Sequence, residues 1–409
     1  MNILFLLEEI PFPITNGPRA KVFSLLAYLS KKHQCYVLAF CDEVNEAAKC
    51  SAIQALPQVR FVDIFPRNKG LILFMRRMWN ILSGLPPSFA LYSKEGFINT
   101  FRKTCEGSFI DIVYYDLVNM AQFFDQASNL PSVHSPNDAT SRNYFLQFSE
   151  LGVSWRKIYV GLSALLLQNY EKKTYHRFRR LHVVSEESAN YLKKIDRRLE
   201  DSIEVIPISA GAKFLQMPIS MRSDNLAVSY PRILFSGNLS NTGVSNGLME
   251  FIDKSLNIIC QEFPNLKFKV LTGGHMPPHV KKRIKRISCV EVVSWVDDYR
   301  QILAENDLTV VPDKTGPGPK TRILQALAAG LPVVAFYKAL EGISYENEVH
   351  LVECSDFKRM GYKVVELLKS PGKRYTMALK GRQLIDAFYS PEIIERRWLK
   401  LFEDLKPTL

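Results

Sequence analysis

The sequence lacks a long apolar run, paired cysteines and the charge pattern of a secretion signal. Its longest internal apolar run, residues 158–167, is well short of the ~20 residues that a membrane-spanning helix needs, so we expect it to form a core helix. Seven cysteines occur without a CxxC pair, which predicts free thiols in a reducing compartment. Glu8 and Glu9 follow the short apolar run at the start, and no basic segment precedes it, which is the reverse of a secretion signal. These absences favour a cytoplasmic protein.

Motifs for metal, nucleotide and nucleophilic chemistry are missing too. The sequence has no HExxH, no paired-His motif and no carboxylate cluster with the spacing of metal ligands. It has no P-loop, no GxSxG nucleophile elbow and no GxGxxG dinucleotide fingerprint. The net charge is +12, but the basic residues are spread along the chain without a DNA- or RNA-binding signature. We therefore expect no metal, no cofactor and no nucleic-acid partner.

What the sequence does contain is two series of short apolar runs that alternate with longer amphipathic segments. Continuous apolar runs are typical of strands buried on both faces, and strands that alternate with helices form parallel sheets. The runs of the first series are 3–7, 36–40, 59–65, 111–116, 130–135, 181–185 and 203–208; those of the second are 232–237, 268–274, 290–296, 308–313, 332–337 and 350–354. The sequence therefore predicts an α/β protein with two Rossmann-like, doubly wound parallel-sheet domains.

The domain boundaries follow from a break between the two series. Residues 210–231 have poor periodicity and a mixed polar, Pro and Gly content, which is typical of a linker. We expect an N-terminal domain over residues 1–215, a C-terminal domain over 216–385 and, over 386–409, a helix that packs back on the N-terminal domain. Two such domains facing each other would enclose a cleft lined by the carboxyl ends of both sheets, where ligands of these folds bind.

The strongest local signal for function spans residues 310–343. Within this stretch a predicted strand ends and a loop with Gly316 and Gly318 follows. A helix then begins with Lys320 and Arg322 and ends at Gly330. The free N–H groups at a helix start bind phosphate, glycines allow close approach, and the two cations add charge. A plain connector with a solvated basic first turn is the alternative, but cations at a helix start oppose the helix dipole. We favour phosphate binding.

Two further glycine turns are candidates for the same kind of site. The first strand of the second series runs into Gly237 and Asn238, with Gly243 and Gly247 before the next helix. The structural and functional interpretations of this turn are equally strong. Gly273 lies at the end of the following strand, in a turn that is structural by default.

Two polar loops of the first series are also expected at the carboxyl edge of their sheet. Asn16, Gly17 and Arg19 stand between the first strand and the first helix, where a surface loop is an equally good interpretation. His134 and Asp138 follow a buried strand, and either could act as a base or polarise a substrate hydroxyl. A histidine at a strand end is more often a structural hydrogen-bond partner.

Taken together, these stretches resemble a GT-B glycosyltransferase of family 4, in the bacterial polysaccharide-biosynthesis branch. The resemblance extends over nearly the whole chain, with residues 170–192 and 294–313 adding to the loop and helix described above. The shared features are a small-residue loop, a basic helix start, a helix ending in Gly-Leu-Pro-Val-Val and a downstream Glu-Gly. Here they are Gly316 and Gly318, Lys320 and Arg322, residues 330–334, and Glu341 with Gly342.

The resemblance implies a retaining, metal-independent glycosyltransferase of hexosyltransferase type. Its C-terminal domain would hold a UDP-, GDP- or dTDP-sugar donor, and its N-terminal domain a saccharide or lipid-linked acceptor for a cell-surface polysaccharide or glycoconjugate. Lys320 and Arg322 would hold the diphosphate, and His134 and Asp138 would lie near the acceptor hydroxyl. The donor-binding residues implied are Asn16, Gly17, Arg19, Gly237, Asn238, Gly273, Gly318, Lys320, Thr321, Arg322, Gln325 and Glu341.

The sequence also departs from the family pattern. Where the family carries two glutamates eight positions apart, this chain has Pro317 and Gln325, and Asn238 replaces the usual arginine after the first glycine of the second domain. These departures favour an alternative, a non-catalytic regulatory subunit that binds nucleotide sugars with the same fold. A separate hypothesis concerns residues 67–87, which mix basic and apolar side chains: they form either an ordinary packed helix or a contact with the inner face of the membrane.

Overall fold

The computed structural model describes residues 1–14, 16–42, 47–92, 95–219, 230–273, 276–316 and 318–406. The chain divides into two compact units, one formed by Met1–Ile208 with Glu395–Leu409 and the other by Ser209–Ile394. Each unit contains a parallel sheet with helices connecting its strands. The predicted α/β class with two doubly wound parallel sheets is confirmed.

The first unit is built on a seven-stranded sheet in the order β3-β2-β1-β4-β5-β6-β7. Its strands are β1 (Asn2–Leu7), β2 (Gln34–Cys41), β3 (Val59–Pro66), β4 (Ile112–Asp116), β5 (Ser132–Asn137), β6 (Arg180–Val183) and β7 (Ile203–Val205). Its helices are α1 (Gly17–Leu29), α2 (Ala47–Gln54), α3 (Gly70–Leu82), α4 (Glu95–Gly107), α5 (Leu117–Met120), α6 (Thr140–Glu150), α7 (Trp155–Thr174) and α8 (Glu186–Ile195). Short 3₁₀ turns cover Pro87–Leu91, Ala121–Gln126, Tyr175–Arg177 and Arg197–Leu199.

The second unit has a six-stranded sheet in the order β10-β9-β8-β11-β12-β13. Its strands are β8 (Arg232–Ser236), β9 (Lys267–Leu271), β10 (Val290–Val293), β11 (Leu308–Val311), β12 (Val333–Phe336) and β13 (Val352–Cys354). The helices are α9 (Ala212–Leu215), α10 (Thr242–Phe251), α11 (Asn257–Glu262), α12 (Pro278–Ile284), α13 (Tyr299–Ala304), α14 (Thr321–Ala328), α15 (Phe357–Lys369) and α16 (Pro371–Phe388). The last helix of the chain, α17 (Pro391–Glu403), lies mostly in the first unit. A π-helical turn, Ile252–Leu256, joins α10 to α11, and a 3₁₀ turn covers Tyr337–Leu340.

Every apolar run of the two predicted series overlaps one of these strands. In β4 and β11 every residue is buried, as expected for strands covered by helices on both sides of the sheet. The strand order reverses between β1 and β4 in the first sheet and between β8 and β11 in the second. Ligands of doubly wound folds bind at the carboxyl ends of the strands beside such a reversal, so these two edges are where a site is expected.

Aromatic side chains fill much of the first unit's core. Phe40 of β2 stacks on Phe97 of α4 with ring centroids 4.5 Å apart, and Phe123 lies 4.6 Å from Phe97. The last helix, α17, places Trp398 against Tyr114 of β4 and 4.3 Å from the ring of His182. This end of the chain is therefore part of the first unit.

Two sequence expectations need comment. Residues 220–229 of the predicted linker lie outside the described residues. The run 158–167 lies in α7, where Val160, Ala164 and Leu167 are buried but Ile158 and Leu165 are exposed. The prediction of a core helix is therefore right for only one side of α7. Among the described residues, no helix is long and apolar enough to cross a membrane.

The close packing of α10 against the loop after β11 makes a stability prediction. A Cβ at Gly247 would lie 2.0 Å from the carbonyl oxygen of Pro312, so a Gly247→Ala variant forces backbone to move. We expect a loss of about 2 kcal/mol, typical of overpacking, seen as a lower urea midpoint. Gly372→Ala in α16 is the matched control, because its Cβ would meet no atom within 4 Å. Equal midpoints for the two variants would contradict the close approach.

Candidate functional site

The carboxyl edge of the second sheet brings together the loops that follow β8 and β11. The N–H of Lys314 donates to the carbonyl oxygen of Gly243 at 3.3 Å, which ties the loop after β11 to the start of α10. A Cβ at Gly243 would lie 1.8 Å from the Thr315 hydroxyl oxygen. Only glycine permits this approach, which explains why Gly243 and Gly247 both lie on α10 facing the loop. The predicted glycine turn is thus a packing feature that positions the loop.

Lys320 closes the loop after β11 on itself. Its ammonium donates to the carbonyl oxygens of Gly316 at 2.6 Å and Gly318 at 2.7 Å. Gly316 and Gly318 have φ of +120° and +66°, a region that favours glycine. The N–H of Gly318 in turn donates to Oε1 of Glu341 at 3.2 Å. The structure therefore brings together Gly318, Lys320 and Glu341, as the sequence predicted, while Pro317 lies outside the described residues.

Arg322, in the first turn of α14, forms an ion pair with Asp313. Asp313 is fully buried, two residues after β11, and Nη2 of Arg322 donates to its Oδ2. The Nε–H of Arg322 is buried and has no hydrogen-bond partner among the described residues. The charge of Arg322 is therefore balanced within the protein. Sequence reasoning missed Asp313, although it stands at the end of a predicted strand.

The other predicted residues of this unit surround the same edge or lie along α14. Gly237 directly follows β8, and its N–H donates to the carbonyl oxygen of Leu271 at 3.0 Å. Oδ1 of Asn238 accepts the N–H of Ser240 at 3.0 Å, so this side chain caps its own turn. Thr321 and Gln325 lie on α14 and are half-buried, and Gly273 follows β9. Ser236, at the end of β8, is hydrogen-bonded to the Tyr299 hydroxyl at 2.7 Å.

In the first unit, the predicted loop forms the cap of α1. Oδ1 of Asn16 accepts the N–H of Arg19 at 2.9 Å, and Gly17 is the first residue of the helix. The Arg19 guanidinium pairs with Glu9 at 2.6 Å and donates to the carbonyl oxygen of Pro13 at 3.3 Å. Arg19 is thus held by the loop itself.

His134 does not lie where the sequence analysis expected it. It is fully buried in β5, its Nδ1 is 3.2 Å from the carbonyl oxygen of Tyr115, and its ring stacks on Phe178. Burial lowers the pKa of His134 to about 3, so it is a neutral core residue. This position removes His134 from the candidate site, because an acceptor hydroxyl has no access to it. Asp138, just after β5, is half-buried and accepts a hydrogen bond from the Ser188 hydroxyl at 3.5 Å.

A buried polar cluster beside the reversal between β1 and β4 was not predicted. The ammonium of Lys21 on α1 donates to Asp116 at 2.9 Å, to the Ser135 hydroxyl at 2.8 Å and to Oδ1 of Asn137 at 2.6 Å. Burial lowers the pKa of Lys21 and raises that of Asp116, and each charge opposes the shift of the other. Asp116 was visible as the last residue of a predicted strand, but no sequence pattern pairs it with Lys21.

Glu8, directly after β1, belongs to the same edge. Its carboxylate accepts the N–H of Asn119 at 2.9 Å and the Tyr92 hydroxyl at 3.1 Å. Burial raises the pKa of Glu8 to about 7.

In the described part of the chain, no group of three or more His, Cys, Asp and Glu side chains lies close enough to hold a metal ion.

Part of the second unit matches a known protein-family model. Residues 230–370 match the family model described as glycosyl transferases group 1. These residues include β8–β13, the loop after β11, Lys320, Arg322 and Glu341. No curated protein sequence matches the chain.

Solved structures resemble the whole chain at low sequence identity. Sucrose-phosphate synthase (tll1590) from Thermosynechococcus elongatus has a TM-score of 0.71 at 14% identity, with 99% of each chain covered. Anabaena Alr3699/HepE in complex with UDP has a TM-score of 0.65 at 14% identity, with 99% of this chain and 100% of HepE covered. TarM has a TM-score of 0.64 at 12% identity, with 98% of each chain covered. At this identity the likeness establishes the fold, which is the predicted GT-B fold.

The raised pKa of Glu8 makes a pH prediction. The carboxyl of Glu8 has a pKa of about 7 in the folded protein, against an ordinary value of 4.5. Such a group stabilises the folded state less and less as the pH rises from 4.5 to 7. A Glu8→Gln variant escapes this loss, so its stability relative to the natural protein should rise by about 2 kcal/mol from pH 5 to pH 8. Urea unfolding at both pH values measures the change. Glu106→Gln, at an exposed position on α4, should show no such change, and a Glu8 variant that behaves like it would refute the assignment.

Proposed function

We propose that the protein is a retaining glycosyltransferase that uses a UDP-, GDP- or dTDP-sugar as donor. The acceptor we propose is a saccharide or a lipid-linked saccharide, in the cytoplasmic assembly of a cell-surface polysaccharide or glycoconjugate. The observation that carries the proposal is the match of residues 230–370 to glycosyl transferases group 1, over the part of the chain that holds the Lys320 loop. A solved structure of similar fold, Anabaena Alr3699/HepE, is in complex with UDP-glucose.

In this proposal the donor diphosphate binds at the loop after β11. Lys320, whose ammonium donates to two carbonyl oxygens of this loop, supplies positive charge. The buried Nε–H of Arg322 supplies a hydrogen-bond donor whose geometry is fixed by Asp313. Phosphate oxygens are suitable partners for both groups, and the free N–H groups at the start of α14 add to them.

The remaining predicted residues keep their proposed roles, with one exception. Gln325 and Glu341 would contact the ribose or the sugar, and the turns at Gly237, Asn238 and Gly273 would border the donor. Asn16, Gly17 and Arg19 would contact the donor, and Asp138 would lie near the acceptor. His134 is left out because it is buried.

The chemistry proposed here is stabilisation of the leaving diphosphate without a metal ion. As the glycosidic bond to the donor breaks, negative charge develops on the diphosphate, and a fixed cation and fixed N–H donors stabilise it. Retention of configuration needs no protein nucleophile, since the departing phosphate itself can take the proton of the acceptor hydroxyl. We therefore assign no catalytic base.

The proposal predicts that Lys320→Ala weakens donor binding by about tenfold to a hundredfold, the usual loss for a charged hydrogen bond. Calorimetry with UDP-glucose, a GDP-sugar and a dTDP-sugar measures the affinity, and Lys320→Arg, which keeps the charge, should recover part of it. Lys358→Ala, at an exposed lysine of α15, is the matched control and should bind normally. Unchanged affinity in Lys320→Ala would exclude the assigned phosphate site.

A non-catalytic subunit with the same fold is the second candidate. The ion pair between Arg322 and Asp313 favours it, because one of the two predicted phosphate-binding cations is already neutralised. The two candidates differ in turnover. Mass spectrometry of each donor after incubation with the protein should detect hydrolysis or transfer for an enzyme, whereas tight binding with intact donor would identify a binding subunit.

We also propose that residues 67–87 contact the inner face of the membrane, where a lipid-linked acceptor would lie. The support comes from α3, which lies within this segment: it is 13 residues long, rich in Leu, Met and Phe, and contains no buried residue. An ordinary helix packed on the sheet would bury one side. Trp79 is 70% exposed and Leu71 is 72% exposed.

A further inference from the structure

Helices α6 and α7 of the first unit also expose apolar side chains, several of them outside the apolar run 158–167. Helices α6 and α7 form an antiparallel pair whose tip, residues 146–159, we call the hairpin tip. Within it, Val153 is fully exposed, Trp155 is 87% exposed and Ile158 is 61% exposed. Leu146 and Phe148 are exposed on the α6 side. Soluble proteins seldom expose so many large apolar side chains next to one another without a partner.

The hairpin tip and α3 belong to the same part of the first unit. The 3₁₀ turn that follows α3 packs on α7, because the rings of Phe89 and Tyr170 are 4.7 Å apart in an edge-to-face contact. Burial raises the pKa of Tyr144 on α6, and the guanidinium of Arg77 on α3 opposes that shift. The ring contact therefore puts the turn that follows α3 on α7.

The charges of these segments have one dominant sign. Residues 67–92 contain four basic residues and no acidic one. Residues 139–170 contain three basic residues, Arg142, Arg156 and Lys157, and one acidic residue, Glu150. Lys157 lies over the ring of Phe148, 4.8 Å from its centroid, so cationic and apolar groups are mixed in the hairpin tip itself. Exposed apolar groups among cations complement an anionic lipid surface, where tails accept the apolar groups and headgroups accept the cations.

We infer that the hairpin tip and α3 together form one docking face for an anionic lipid bilayer, with Trp155 and Trp79 as its two aromatic anchors. This inference rests on the membrane contact proposed for residues 67–87 and extends it to a second, separate segment. It does not depend on glycosyl transfer. With α3 about 20 Å long at 1.5 Å per residue, two helical elements side by side would fix the orientation of the unit on the bilayer, which a single helix cannot do.

The four tryptophans of the chain allow a direct test. Trp79 and Trp155 lie on the proposed face, Trp295 is 67% exposed in the second unit, and Trp398 is buried. Each of three full-length variants keeps one exposed tryptophan and replaces the other two by phenylalanine, with Trp398 kept in all. Their fluorescence is recorded with vesicles of phosphatidylcholine alone and of equal parts phosphatidylcholine and phosphatidylglycerol, including vesicles with brominated acyl chains.

We expect blue shifts and bromine quenching for the Trp79 and Trp155 variants on anionic vesicles, and neither for the Trp295 variant. A response from Trp79 without one from Trp155 would overturn the two-element face and leave the contact of residues 67–87 standing. No response from either would overturn both. If Trp155 is instead shielded from solvent in the absence of vesicles, and light scattering gives the mass of a dimer, the partner of this face is a second copy of the chain.

A charge-reversal pair tests the cationic part of the same face. Arg156→Glu with Lys157→Glu should lower partition into anionic vesicles by about tenfold or more at low salt. Lys281→Glu with Lys282→Glu on α12 is the matched control, because both lysines are exposed in the second unit and the change in net charge is identical. Equal loss in the two pairs would show attraction by net charge alone and would overturn the docking face. Donor affinity measured on the same proteins keeps this outcome separate from the proposed function.

Discussion

The ion pair between Arg322 and Asp313 is the interaction on which the candidate donor site depends. Asp313 is buried two residues after β11, where an unpaired carboxylate would be costly, so Arg322 must stay beside it. The pair joins the end of a strand to the first turn of α14 and so limits the paths open to residues 314–320 between them. Within that loop, Lys320 and the two glycines of positive φ complete a compact turn. Arg322 thus fixes the shape of the loop, and Lys320 contributes positive charge to it.

The pattern of strands was readable from sequence because burial on both faces leaves a direct mark. Each apolar run that predicted a strand overlaps one, and Gly330, expected at the end of a helix, has φ of +73° just after α14. The end of each strand also indicates which residues share the carboxyl edge of a parallel sheet. Gly318 and Lys320 were placed at that edge on this basis and Glu341 through the family resemblance, and the structure brings the three into contact.

What the sequence could not provide is which polar residues at that edge become buried and with which partner. His134 and Lys21 illustrate the difficulty. His134 lies on a strand that was expected to lead to a site, yet aromatic rings enclose it. Lys21 lies on a surface-like helix, yet it is buried among Asp116, Ser135 and Asn137, which come from two other strands. Partners that are about a hundred residues apart in the chain leave no local pattern, so only the packed structure reveals them.

The apolar segments of the first unit illustrate a second limit of prediction from sequence. An apolar run indicates that side chains avoid water, but it does not indicate whether protein or lipid covers them. Residues 158–167 were expected to form a core helix, and residues 67–87 either a packed helix or a membrane contact. The structure separates buried from exposed positions: α7 buries Val160, Ala164 and Leu167 along one side, whereas α3 buries none of its residues. What covers the exposed positions then depends on their charged neighbours, which are four cations and no carboxylate in residues 67–92, and Arg156 and Lys157 with Glu150 in the hairpin tip; this excess of cations is the basis of the proposed bilayer contact.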